Sequence, residues 1–313
     1  MPLDPQAQKL LDLARNAGLP PIFQVPISEA RARMAKALTY TGEPEPLAQV
    51  EDVIIAGPGG PITLRHYRPS SGKELPVVVF FHGGGWVLND LNTHDHLCRA
   101  LAIQSGCAII AVDYRLAPEH PYPAAVDDAW AATKWVSANA RQIGVDPTRI
   151  AVAGDSSGAT LAAIVSRLAH EASGPPLVCQ ALIYPVMDHW TADTNSYREV
   201  GVGFSLSREL MIWFWKNYLP TSANLNDPNI CPLRATQFQG LPTTLVLTAE
   251  FDPLRDEGEE YARRLSEAGV PAACSRYEGM MHGFVIQYRI LDKGRLGLAE
   301  VSSFLRQHLF SSK

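Results

Sequence analysis

Four uninterrupted apolar runs constrain this chain more than any other feature: Val77-Val78-Val79-Phe80-Phe81, Ala108-Ile109-Ile110-Ala111-Val112, Ile150-Ala151-Val152-Ala153 and Ala181-Leu182-Ile183-Tyr184. A strand with one face in water alternates apolar and polar residues, so runs that are apolar throughout belong to strands covered on both faces. Helical stretches at 124–141 and 160–171 lie between them. That alternation implies right-handed crossovers and a mostly parallel sheet with helices on both sides, an α/β fold. Residues 243–248 and 272–277 read as two further strands, and 53–56 and 62–67 flank Gly57-Pro58-Gly59-Gly60 as an antiparallel hairpin that opens the sheet.

Two amphipathic helices precede the hairpin, at 7–16 and 28–38, separated by Gly18-Leu19-Pro20-Pro21. Residues 188–240 break the strand–helix rhythm with polar irregular stretches around an apolar helix at 208–218, and read as an insertion between strands. No repeat and no linker rich in Gly, Ser or Pro divides the chain, so the 313 residues form a single domain with an insertion.

Composition narrows the function. Lys and Arg number 27 against 32 Asp and Glu, and a net charge of −5 offers nothing to a nucleic acid or an anionic membrane. No apolar run reaches the roughly 18 residues of a membrane span, and Met-Pro-Leu-Asp-Pro lacks the basic and apolar regions of a secretion signal. Cys98, Cys107, Cys179, Cys231 and Cys274 are odd in number and form no CxxC pair, which fits reduced core thiols in a cytoplasmic protein.

The chemistry gathers at strand ends. Residues 149–153 run into Gly154-Asp155-Ser156-Ser157-Gly158, followed at once by a helix, the setting of a nucleophile elbow. The glycines two before and two after Ser156 sit where a strained turn leaves no room for a Cβ. His82-Gly83-Gly84-Gly85-Trp86 follows another strand, and its bare backbone suits an oxyanion hole, with the amides of Gly83, Gly84 and Ser157 as donors. A phosphate loop is disfavoured, because no Lys-Ser/Thr pair and no G-x-G-x-x-G spacing occurs. A base and its orienting acid are expected later, acid first, each just past a strand; Asp252 and His282 occupy those places. Glu250 and Asp256 are rival acids, but Glu250 is still at a strand end and Asp256 lies a turn into the next helix.

Together with Tyr114-Arg115-Leu116-Ala117-Pro118-Glu119 and Asp252-Pro253-Leu254-Arg255-Asp256, these ordered motifs resemble the bacterial hormone-sensitive-lipase-like (family IV) carboxylesterases. The resemblance implies an α/β-hydrolase fold and hydrolysis of short- to medium-chain acyl esters. It also implies a helical cap, here placed at 1–45 and 188–240 over a body at 46–187 and 241–313. Ser156, Asp252 and His282 take the triad roles, and Trp86, Met211 and Trp215 are the substrate-binding candidates, the last two sharing a helix face that by resemblance borders the acyl site. Ser157-Gly158-Ala159 stands where the family usually has Ala-Gly-Gly. The last strand is placed at the sheet edge, leaving a homodimer through it and a monomer both open.

The expected reaction is a two-step acyl transfer needing no metal or organic cofactor, with activity rising with pH as the imidazole loses its proton. A serine peptidase or amidase on the same fold and a non-catalytic binding paralogue are the alternatives; a haloalkane or epoxide hydrolase would need a carboxylate at position 156. His94 and His96, two residues apart, point to different faces of a strand or helix and are not read as metal ligands. His82 is expected to brace the glycine loop, and Pro121-Tyr122-Pro123 to form rigid support behind the site.

Overall fold

The computed structural model describes residues 2–37, 42–71 and 74–310. Two helices come first: α1 (Pro5–Asn16), whose N-terminus is capped by the Asp4 carboxylate accepting the Gln6 N–H at 3.0 Å, and α2 (Ile27–Ala37). Leu38, expected to end the second helix, lies outside the described residues. β1 (Gln49–Gly57) and β2 (Gly60–Arg68) form the antiparallel hairpin read from the glycine-rich turn.

The chain then alternates strand and helix: β3 (Leu75–Phe81), α3 (Asp95–Ser105), β4 (Ala108–Asp113), α4 (Ala124–Asn139), β5 (Val145–Asp155), α5 (Ser157–Glu171) and β6 (Leu177–Ile183). α6 (Asn195–Val200) and α7 (Arg208–Tyr218) occupy the insertion, after which β7 (Thr243–Phe251), α8 (Arg255–Glu267), β8 (Ala272–Met281) and α9 (Asp292–Phe310) complete the fold. The eight strands form one sheet in the order β1-β2-β4-β3-β5-β6-β7-β8, parallel from β4 onward.

Burial explains the unbroken apolar runs. Every residue of β3 is buried, with Val77, Val79 and Phe81 facing the core under α4, α5 and α8, and Val78 and Phe80 facing the core under α3 and α9. Each such side chain contributes about 1.5–3 kcal/mol relative to exposure. The sequence reading missed α3 and α9. In α9 the helical pattern is interrupted by Gly294 and Gly297, which are required for contact: a Cβ at Gly294 would fall 2.5 Å from the Phe284 carbonyl oxygen, and one at Gly297 would fall 2.9 Å from the Phe284 ring.

Parallel register brings the carboxyl ends of the strands to one edge. Phe81 of β3 pairs with Gly154 of β5, Asp155 with Ile183 of β6, Ile183 with Leu247 of β7, and Phe251 with Met281 of β8. The residues that follow these ends, His82, Ser156, Asp252 and His282, therefore emerge together, as ligand-site residues do in open α/β sheets.

Four cysteines are buried, but Cys274 is exposed on β8, which corrects the expectation of five core thiols: β8 is an edge strand, uncovered on one side. The Ala117–Pro118 and Tyr122–Pro123 peptides are cis. No helix among the described residues is long and apolar enough to cross a membrane.

Candidate active site

Ser156 sits at φ 54°, ψ −124°, between β5 and α5. A left-handed serine is strained by about 1–3 kcal/mol, so its surroundings must enforce it. The Ser156 N–H is held by the Ile183 carbonyl at 2.8 Å, and the backbone around it is closed tight. A Cβ on Gly154 would lie 2.4 Å from the Gly158 carbonyl carbon, and one on Gly158 would lie 2.0 Å from the Phe81 oxygen. The glycine spacing in the sequence reports this close approach.

His282 Nε2 stands 3.0 Å from Ser156 Oγ, and His282 Nδ1 stands 2.7 Å from Asp252 Oδ2. Asp252 is fully buried, and its other oxygen accepts the Leu254 N–H at 2.9 Å. The imidazole packs against the Tyr184 ring, centroids 4.7 Å apart, and the Ser205 hydroxyl donates to the His282 carbonyl at 2.8 Å. The rival acids are engaged elsewhere: Glu250 accepts the Gly279 N–H at 2.6 Å, and Asp256 accepts the Ser196 N–H at 2.8 Å.

The oxyanion donors need a correction. The Gly83 N–H is committed to Asp155 Oδ1 at 2.8 Å, and Gly83 does not line the cavity above Ser156, whereas Gly84 and Gly85 do. Among the described residues neither Gly84 nor Gly85 gives its N–H to another group. The Ser157 N–H, first in α5, has no partner within the helix. Beside the serine, the amides of Gly84, Gly85 and Ser157 have no acceptor among the described residues. Only the fold shows this, because Asp155 turns its carboxylate back under the first glycine.

That carboxylate is 5% exposed and also lies 3.1 Å from His94 Nε2, at ion-pair distance though without the alignment of a hydrogen bond. Burial opposes its ionisation, but His94 and the Gly83 N–H outweigh this and hold the carboxyl below the usual range. His82 braces the loop: its ring stacks on Tyr114 at 4.4 Å, Nδ1 lies 2.8 Å from the Gly83 oxygen, and the Tyr114 hydroxyl donates to the His82 carbonyl at 2.7 Å. His96 Nε2 instead lies 3.1 Å from the Ile286 oxygen, so the two histidines of the His-x-His pair serve different neighbours.

A cavity of about 480 Å³ opens over Ser156 and His282. α1 lines it with Leu10, Leu11 and Ala14, α2 with Met34, and the insertion with Leu206, Leu210 and Phe214. The substrate-binding candidates Trp86, Met211 and Trp215 do not line this cavity. They are 1–2% exposed, with Trp86 stacked on Tyr218 at 4.2 Å and 4.8 Å from Trp215. Positions one turn apart do share a face of α7, but the stripe facing the cavity is Leu210 and Phe214, one residue earlier, because Met211, Trp215 and Tyr218 pack inward. The Phe214 ring covers Gly85, where a Cβ would fall 2.1 Å from it.

The strand order, the strained serine between strand and helix, and a histidine joining it to a buried aspartate define an α/β hydrolase whose candidate site is centred on Ser156. A family profile described as alpha/beta hydrolase fold matches residues 78–286. The chain is 42% identical to the carboxylic ester hydrolase LipN of Mycobacterium tuberculosis over 98% of its own length and 83% of that protein's. It is 40% identical to carboxylesterase NlhH of the same organism, covering 90% and 89%. A solved structure of a hyperthermophilic esterase from Pyrobaculum calidifontis superposes with a TM-score of 0.94 at 42% identity, covering 98% and 99%. The chain belongs to the α/β-hydrolase fold family, among its hormone-sensitive-lipase-like carboxylesterases, and is a carboxylic ester hydrolase.

Proposed function

We propose that the enzyme cleaves short- to medium-chain acyl esters through an acyl-enzyme on Ser156. His282, oriented by Asp252, takes the serine proton as Oγ attacks the carbonyl, then gives that proton to the leaving alcohol. A water activated by the same imidazole releases the acid, and the oxyanion of each tetrahedral intermediate lies against the amides of Gly84, Gly85 and Ser157. The observation that carries this reading is the unbroken relay from Asp252 to His282 to Ser156, at 2.7 and 3.0 Å, beside N–H groups that have no partner among the described residues. The free amides also lie near the N-terminus of α5, whose dipole favours developing negative charge.

Residues 1–45 and 188–240 act as a cap on a single catalytic domain, since their helices supply much of the apolar lining; residues 1 and 38–41 of that division lie outside the described residues. An apolar cavity of this size suits a small acyl chain and disfavours a peptide. We further propose a cytoplasmic enzyme, and pairing of two copies through the edge strand β8, with a monomer as the alternative outcome of a sedimentation measurement.

A series of p-nitrophenyl esters from acetate to decanoate, turned over by wild type and Ser156→Ala, tests the reaction. The expected result is an optimum among the shorter chains and a loss of at least about 1,000-fold in the variant. Undiminished hydrolysis by Ser156→Ala would remove the mechanism.

A further inference from the structure

Five residues beyond Asp252, in the first turn of α8, Glu257 is 1% exposed. Its Oε1 accepts the Met187 N–H at 2.9 Å, and its Oε2 has no hydrogen-bond partner among the described residues. The groups facing it are the carboxylates of Asp188 and Asp252, the Tyr197 phenol and the Cys231 thiol. The cations of this region are engaged elsewhere: Arg234 pairs with Asp188 at 2.9 Å, and Arg208 with Asp193 at 2.8 Å. An ionised Glu257 would be a third negative charge in a dry cluster with no cation of its own, and burial penalises that form heavily.

The contact it makes is well placed. Met187 lies just past β6, where the insertion begins, and the turn from 253 to 257 grips that insertion at several points. Ser196 of α6 donates its hydroxyl to the Pro253 carbonyl at 2.6 Å and its N–H to Asp256 at 2.8 Å. Arg255 reaches Glu199 of α6 at 3.0 Å and the Glu250 carbonyl at 3.1 Å. At the head of the same turn, Asp252 accepts the Leu254 N–H and holds His282.

We propose that Glu257 is a positioning residue for the triad, a neutral carboxylic acid that ties the root of the insertion to the turn carrying Asp252 without setting a second charge beside that aspartate. The inference rests on reading Asp252 as the acid of the triad. Its carboxyl is pushed well above the usual carboxylate range, chiefly by burial and then by the carboxylates of Asp188 and Asp252, against the pull of the Met187 and Asp188 N–H groups.

Wild type, Glu257→Gln and Glu257→Ala separate the outcomes. The infrared difference spectrum of wild type minus Glu257→Gln at neutral pH is expected to contain the carbonyl stretch of a protonated carboxylic acid. Glu257→Gln keeps shape, acceptor and neutrality, so its kcat and KM should stay within about twofold of wild type. Glu257→Ala loosens the turn and should lower kcat about tenfold or more with KM little changed, as small misplacements of catalytic groups do. Absence of the band, a Glu257→Gln enzyme as impaired as Glu257→Ala, or an unchanged kcat in Glu257→Ala would each overturn the proposal. If Glu257→Ala does not fold, the band and the Glu257→Gln kinetics still decide. The band is independent of the triad, whose own failure would appear as activity in Ser156→Ala.

Discussion

Ser156 occupies a backbone conformation that only a crowded elbow can enforce, and Gly158 is where the crowding is greatest. Replacing Gly158 with Ala puts a methyl group 2.0 Å from the Phe81 oxygen, so β3 and α5 must separate. The expected cost is about 3 kcal/mol, read as a lower urea midpoint, with loss of ester turnover in whatever folds. At this scale the sequence was most legible. Gly154, Gly158 and the strand before Ser156 mark a close approach whatever surrounds them, and Asp252 and His282 follow strands long enough to recognise. The identity of the free amides was not legible, because three consecutive glycines look alike until Asp155 engages the first of them. Asp155 itself carried a signal, an acidic residue directly before Ser156 at the end of an apolar strand, but its partner 72 positions away did not.

Among the elements, α7 shows how a helix can be read correctly and its rotation misjudged. Its extent, 208–218, follows from its residues, including the Ser207 hydroxyl that accepts the Leu210 N–H at its start. Which stripe faces the cavity depends on what the opposite stripe meets, and the stacked pair of Trp86 and Tyr218 takes the Trp215 ring inward, on the face where Met211 is also buried. Phe214 is therefore the aromatic over Gly85. In Phe214→Ala the cavity should deepen beside Gly85: the ratio of kcat/KM for octanoate over butyrate esters should rise several-fold, with about 3 kcal/mol of stability lost. A fall in that ratio would place the acyl chain elsewhere.

For the whole molecule, two buried histidines couple folding to pH. His82 is held at about 4 by burial and then by neighbouring His94, and His66 at about 4 by burial and then by Arg68. An unfolded histidine takes up a proton near pH 6.5, while these stay neutral in the fold until about pH 4. The unfolded state therefore binds more protons across that window, and stability is full above about pH 6.5 and falls as pH drops toward 4, by about 3 kcal/mol for each group. Urea midpoints measured from pH 7 to pH 4 should show the decline, and His66→Gln should make it shallower; an unchanged slope in His66→Gln would assign the effect to other groups. The sequence alone determined the two-sided sheet, the antiparallel opening, the order of the motifs and the strand ends that carry Ser156, Asp252 and His282. Those follow from local patterns: apolar run length, glycine spacing and turn chemistry act over a few residues and need no partner. Tertiary structure alone decided which glycine amides remain free, which face of α7 meets the cavity, and how Glu257 joins the insertion to the Asp252 turn. Each of these depends on competition for space or for a hydrogen bond between segments far apart in the chain, and that is settled only when the sheet brings them together.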